Sequence, residues 1–354
     1  MKPLRVALET QFASGTPTGI GVYAHNLAAA LRARPDIELV ELRDPGYDVW
    51  RFDRRLYWDQ LRAPLLARRS RADVIHFSAG TLPFWTPHPC VLSVHDLAWL
   101  DGAVKGRAFS RAYFGAIQRR LARRADRIAT DTEVSRNHII ETLALPPSKV
   151  AVTGAGVDES WFALARIPDD PPFLLSVGTV EERKDLITAV RALAQLPGYK
   201  LVSVGPHTSY AAQVKRAVSA AGVAERVELR GFVDDATLQS LYARAAALVF
   251  PSHYEGFGLP PLQALAAMVP VVASDIPVLR EVLDDCAFFA QPGDAEAFAA
   301  LVRMVSSPDI RVREVVERGR MHARRFTWAV VADRMAGLYR SVCNQAMSNE
   351  ATDL

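Results

Sequence analysis

Cysteine is scarce. Cys90, Cys286 and Cys343 are the only three in 354 residues, far apart and without CxxC or Cys/His ligand spacing. This argues against a disulfide framework or a zinc module and fits a reducing compartment. No run of about eighteen uninterrupted apolar residues occurs, so the pattern holds no membrane-spanning helix. The opening MKPLRVALETQ reads as a strand and not as a signal peptide with a long apolar core, so a cytoplasmic protein is expected. Low-complexity segments and internal repeats are also missing. Net charge is only +3 and no recognisable nucleic-acid module accompanies it, so a nucleic-acid partner is not expected.

What is present is ordinary globular material, 50% hydrophobic and 23% charged, in a chain long enough for two domains. Short apolar, β-branched runs alternate with helical patterns, the signature of βαβ units and parallel sheets. In the first half the strand candidates are LRVAL at Leu4, DVIHF at Asp73, VLSVH at Val91, RIAT at Arg127 and VAVT at Val150. In the second they are FLLSVG at Phe173, KLVSVG at Lys200, RVELRGF at Arg226, ALVFPS at Ala247 and PVVAS at Pro270. The Pro- and Asp-rich RIPDDPPF opposes helix and sheet alike and marks a junction. The expected organisation is an α/β fold with Rossmann-like domains at 1–165 and 173–325, a linker at 166–172, a final helix at 326–346 and a tail at 347–354. The apolar positions of that helix need a surface to pack on. Ligands of open α/β sheets bind at the carboxyl ends of strands, so the active site is expected in a cleft between the domains.

Four motifs follow strands. In GTPTGIGVYAHNL, Gly19, Gly21 and Ala24 satisfy the GxGxxG/A spacing, but about ten residues separate them from the strand before, against a nicotinamide site. A glycine loop lining the cleft is the favoured reading, with a flexible turn before a helix as the plain alternative. In SVHDLAWL the strand ends on His95 and Asp96, where an imidazole can donate to a sugar hydroxyl or leaving oxygen. A core or capping histidine is the competing reading. Asp96 is expected to orient the loop.

In SVGTVEERKDLITAV, the turn Gly178–Thr179 brings Arg183 and Lys184 to a helix N-terminus, an anion site suited to a diphosphate. In HYEGFGLPPLQALAAM, Gly256 and Gly258 permit close backbone approach, and Pro260 and Pro261 suit the first helical turn. The N–H groups of Phe257, Gly258 and Leu259 can then meet a phosphate or sugar, with Glu255 the carboxylate nearest the donor and Gln263 inside the helix.

These stretches, with GTVEERKDL, TGIGVYAHNL, VHDLAWL, AGVD and FPSHYEGFGLPPLQALAAMVPVVASDIPVLREVL, make the chain resemble the retaining glycosyltransferases of family four, which have the GT-B architecture. The resemblance implies sugar transfer from a nucleotide diphosphate sugar to a hydroxyl, with the anomeric configuration kept and no metal or other cofactor. It implies that Arg183 and Lys184 hold the diphosphate, Glu255 contacts the donor sugar, His95 lies near the reacting centre, and the last helix crosses back to the first domain. Gln263 is a departure, because the family usually has a Glu there that accepts from the ribose hydroxyls. An amide accepts at one end and donates at the other, so altered ribose recognition is expected and not loss of activity.

The wording GIGVY, VHDL and EGFGLPPL looks most like transferases of mannose-type sugars in surface polysaccharide or lipopolysaccharide assembly, which suggests GDP-mannose or a GDP-deoxyhexose. UDP-sugars and a non-catalytic nucleotide-sugar-binding protein stay open. The first half is the basic one, with 22 basic against 17 acidic residues through Ala165 and 20 against 22 beyond it. Two basic stretches, 51–71 and 105–127, the second with eight basic residues against one acid, suggest contact with the inner membrane face and a glycan or lipid-linked acceptor.

Overall fold

The structure is a computed structural model that describes residues 2–14, 19–87, 89–98, 100, 112–307 and 309–352. It contains two compact units, Met1–Gly156 with Trp328–Leu354, and Val157–Thr327.

The first unit is built on parallel strands β1 (Leu4–Glu9), β2 (Ile37–Leu42), β3 (Val74–Phe77), β4 (Cys90–Ser93), β5 (Arg127–Thr130) and β6 (Val150–Val152), in the order β2-β1-β3-β4-β5-β6. Strands β3 and β4 are buried along their whole length, as the apolar sequences VIHF and CVLS require for strands covered on both faces. The helix Gly19–Arg32 buries Tyr23, Ala24, Leu27, Ala28 and Leu31, one face at helical spacing. The last helix, Trp328–Thr352, belongs to this unit, as expected. It buries Val331, Met335, Tyr339 and Val342, and ion pairs of Asp333 with Arg34 and Arg340 with Asp36 flank the contact. At its centre the Tyr339 hydroxyl lies 2.8 Å from His76 Nδ1, whose Nε2 is 2.8 Å from Ser93 Oγ. Burial holds that imidazole down at about 3, so it is neutral there. No helix among the described residues is long and apolar enough to cross a membrane.

The second unit carries β7 (Phe173–Val177), β8 (Lys200–Val204), β9 (Val227–Gly231), β10 (Ala247–Phe250), β11 (Val271–Ser274) and β12 (Phe288–Ala290), ordered β12-β11-β10-β7-β8-β9. Strand order reverses between β7 and β10, which pair directly through Ala247↔Leu174 and Leu248↔Leu175. Helices Leu186–Ala194 and Ala295–Val305 supply Ala189, Val190, Leu193, Phe298 and Val302 to the core on one face.

Two strands escape the sequence reading, β2 and β12, and both lie at sheet edges. IELVEL carries two acids that break its apolar run, and β12 is only three residues long, FFA, too short to stand out as a strand. The junction also differs from the expected position at 166–172, since the chain leaves the first unit after Gly156. Trp161 packs on Tyr242 at 4.9 Å, and Arg166 donates to the carbonyls of Tyr242 and Ala245 at 2.9 and 2.6 Å. Ile167 and Asp169 donate backbone hydrogen bonds to Ala243 and Arg244. Prolines and acids there prevent regular structure without preventing docking onto the second unit.

Candidate active site at the carboxyl edge of the second sheet

The reversal point between β7 and β10 is where an open α/β sheet parts its loops to opposite sides and leaves a crevice. After β7 the chain turns at Gly178, φ +146°, with its N–H held by the Val204 carbonyl at 2.8 Å. A side chain at Gly205 would lie 2.1 Å from the Gly178 carbonyl oxygen, so the ends of β7 and β8 can approach this closely only through glycine. The residues Glu182–Lys184 form one tight turn, and Asp185 caps the helix Leu186–Ala194 by accepting from Thr188.

The loop after β10 meets that turn. The His253 N–H donates to the Arg183 carbonyl at 2.8 Å, and Arg183 Nη1 donates to the Tyr254 carbonyl at 3.0 Å. Between them Lys184 Nζ reaches both carboxylate oxygens of the buried Glu255, at 2.5 and 2.6 Å. Arg183 adds a longer approach to Glu255 at 3.6 Å and pairs with Glu181 at 2.8 Å. Two cations therefore face two carboxylates. Burial pushes the Lys184 ammonium below its ordinary range; the Glu255 charge opposes that and Arg183 reinforces it.

Gly258, φ +101°, opens the helix Leu259–Ala266, with Pro260 and Pro261 in its first turn. Among the described residues the backbone N–H groups of Phe257, Gly258 and Leu259 donate no hydrogen bond, as the first amides of a helix leave them. Gln263 is half-buried on this helix, and its side chain makes no hydrogen bond among the described residues. A shallow recess beside Lys184 is lined by Ser176, Gly178, Thr179, Ser203 and Ser252. The Ser252 hydroxyl is buried there without a protein partner. The second unit thus gathers Gly178, Thr179, Arg183, Lys184, Glu255, Phe257, Gly258, Leu259 and Gln263 on one sheet edge.

The first unit holds the others. Gly19 and Gly21 stand in the first turn of a helix and not in a loop; residues 15–18 lie outside the described residues. His95 follows β4, and both of its nitrogens are taken by protein acceptors, Nδ1 by Asp131 at 2.8 Å and Nε2 by the Ser78 carbonyl at 3.2 Å. Neither partner can donate, so the geometry places a proton on each nitrogen. Burial opposes that charge, and the Asp131 carboxylate outweighs it, leaving the imidazole above its ordinary value. Tyr23 packs edge-on against the ring at 4.5 Å.

Asp131 was not singled out from the sequence, though it directly follows β5 just as His95 follows β4. Glu9, at the end of β1, was missed too. It is buried, accepts from Trp58 Nε1 at 2.6 Å through one oxygen, and has no partner on the other. Burial, together with the charge of Asp59, raises it to about 7.

The model of the glycosyl transferases group 1 matches residues 157–322, and that of glycosyltransferase family 4 matches residues 17–161. The chain belongs to glycosyltransferase family four. This transferase has the GT-B fold, and the division between its two matched halves agrees with the change of unit after Gly156. It is similar to the O-antigen chain mannosyltransferase RfbU of Salmonella typhimurium, 26% identical over 72% of this chain and 70% of that protein. It is also similar to the O-antigen chain mannosyltransferase B of Escherichia coli, 30% identical over 60% of each. Among solved structures, Alr3699/HepE of Anabaena in complex with UDP-glucose aligns at a TM-score of 0.74 with 17% identity, covering 96% of this chain and all of that one.

Proposed function

We propose that this glycosyltransferase moves a hexosyl group, mannose or a deoxyhexose, from a GDP-linked donor to a hydroxyl of a glycan or lipid-linked acceptor. The configuration at the anomeric carbon is kept and no metal is used. The setting is surface polysaccharide assembly at the inner face of the cytoplasmic membrane, a reading supported by the two O-antigen mannosyltransferases among its relatives.

The observation that carries the reading is the Arg183–Lys184–Glu255 cluster at the strand-order reversal. A nucleoside diphosphate offers Lys184 more negative charge than Glu255 does, so the ammonium turns to the phosphates when the donor arrives. The freed carboxylate then accepts from sugar hydroxyls, which must otherwise be held by water. Arg183, Lys184 and the amides of Phe257–Leu259 stabilise the diphosphate as it departs, where charge develops. The acceptor hydroxyl attacks from the face the diphosphate leaves, and the departing phosphate takes its proton. His95, charged and oriented by Asp131, is assigned to the neighbourhood of the reacting centre.

A UDP-sugar is the second reading, favoured by the UDP-glucose held by the Anabaena neighbour. Incubation with GDP-mannose, GDP-deoxyhexoses and UDP-glucose, with NMR of the product's one-bond C1–H1 coupling at the anomeric centre, tests the proposal. A product from a GDP-sugar with retained configuration supports it. An inverted product, or turnover of UDP-glucose alone, contradicts it.

A further inference from the structure

The helical run Phe52–Tyr57, Trp58–Arg62, Ala63–Ser70 turns Trp58, Asp59, Ala63 and Ala67 into the first unit and points Tyr57, Leu61 and Leu65 outward at helical spacing. A loop adds to this face. Its Phe84 and Trp85 are 57% and 59% exposed, beside Leu61 at 60%. The loop is held in place: the Phe84 N–H donates to Gln60 Oε1 at 2.7 Å, and the Phe84 carbonyl accepts from Arg124 at 2.6 Å. The Arg68 guanidinium lies over the Trp85 ring at 5.7 Å. Arg68, Arg69 and Arg124 are exposed and have no acidic partner among the described residues, so a rim of uncompensated positive charge borders the apolar centre.

We propose that this face docks on an anionic lipid bilayer, with Leu61, Leu65, Phe84 and Trp85 entering the headgroup region and Arg68, Arg69 and Arg124 meeting lipid phosphates. Side chains of this size that no described residue covers are matched by an interface that is apolar inside and negative at its surface. Trp and Phe at the centre with arginine around it is the arrangement that suits the boundary between acyl chains and headgroups. A second copy seated on the same face would bring its own arginines against these, so charge disfavours self-association. The sequence signalled the basic runs 51–71 and 105–127, of which the first part of the second lies outside the described residues; Phe84 and Trp85 join them through the fold. This docking surface rests on the membrane-face part of the proposed function and is independent of the choice of donor.

Sedimentation of the full chain with vesicles, without donor sugar, tests it. Vesicles of neutral lipid are compared with vesicles containing roughly 30% phosphatidylglycerol, a headgroup charge that attracts basic side chains. The wild type is expected to partition onto the anionic vesicles, more weakly at high salt, and little onto neutral ones. The variant Leu61→Gln/Phe84→Ser/Trp85→Ser should lose at least about tenfold in partition, as burial of three large apolar side chains demands. Arg68→Glu/Arg69→Glu/Arg124→Glu should lose at least about a hundredfold, since each basic residue near such a surface contributes roughly fivefold and the introduced acids add repulsion. Melting curves superimposable on the wild type show that both variants are folded; a variant that melts early is replaced by its single substitutions. Equal partition onto neutral and anionic vesicles, or variants that sediment like the wild type, would overturn the proposal. So would a wild-type dimer that the apolar variant dissociates while vesicle binding is unchanged, which would make a second copy the occupant. Failure of this test with sugar transfer intact would leave the transferase reading standing, and the converse failure would leave the lipid surface standing.

Discussion

The Lys184 ammonium sits between the two oxygens of Glu255, at 2.5 and 2.6 Å, although 71 residues separate them in the chain. The pair joins the loop after β7 to the loop after β10 and neutralises the cation that the proposed diphosphate must claim. Replacing Lys184 by Ala should lower transfer by about two to three orders of magnitude, the effect of losing a preorganised donor to developing charge. It also leaves Glu255 buried with only the longer approach of Arg183, so stability should fall by about 3 kcal/mol, the low end for one-sided removal of a buried partner. Initial rates and urea unfolding measure the two effects. Unchanged turnover in a folded variant would contradict the assignment.

Glu255 and Gln263 should separate in their kinetic effects. Glu255→Gln removes the charge that the freed carboxylate presents to the sugar, and turnover should fall severely. Gln263→Glu alters an unpartnered side chain on the helix behind, so it should change KM for the donor, or the preference between GDP and UDP, more than kcat. Equal large losses of kcat in both variants would show that the roles are divided wrongly.

The strand-end positions made Gly178, Thr179, Arg183, Lys184 and Glu255 legible as candidates before any fold was known, because parallel sheets put ligands at carboxyl ends and these residues lie in the loops that follow apolar runs. Their partnership was not legible, since nothing in sequence spacing says that the turn after β7 lies against the loop after β10. The same holds for His95 and Asp131, 36 residues apart. Strand β2 hid because two acids interrupt its apolar run and β12 because it is only three residues long, and the RIPDDPPF stretch misled because composition reports irregular backbone and not independence of a neighbouring surface.

Gly205 illustrates a constraint that sequence shows only as a glycine. A methyl group there would overlap the Gly178 carbonyl, backbone against backbone, with φ at +144°. Gly205→Ala should destabilise the protein by roughly 3 kcal/mol or more, because neither strand end can yield without moving the turn that carries Lys184. Thermal unfolding measures this, and a melting temperature equal to the wild type would refute the close approach.

Glu9 makes stability depend on pH in an unusual direction. Its folded value is raised from 4.5 to about 7 by burial and by Asp59, against the attraction of Arg55. The folded chain therefore binds more protons than the unfolded chain between those values. The resulting penalty is absent below pH 4.5, grows as pH rises through the window and is complete above about 7, where it amounts to about 3 kcal/mol at most. Glu9→Gln keeps an acceptor for Trp58 and removes the charge. Its melting temperature should exceed the wild type's at pH 8 and lose that advantage near pH 5. An equal difference at both pH values would contradict the buried carboxyl.

A nucleoside diphosphate is proposed to bind at the Lys184 cluster of the second unit, and calorimetric titration of GDP measures that binding without any transfer step. One site is expected in the wild type, with a loss of at least about tenfold in affinity in Lys184→Ala, as removal of a charge-assisted contact requires. Binding of neither GDP nor UDP, or GDP affinity unchanged by Lys184→Ala, would contradict it.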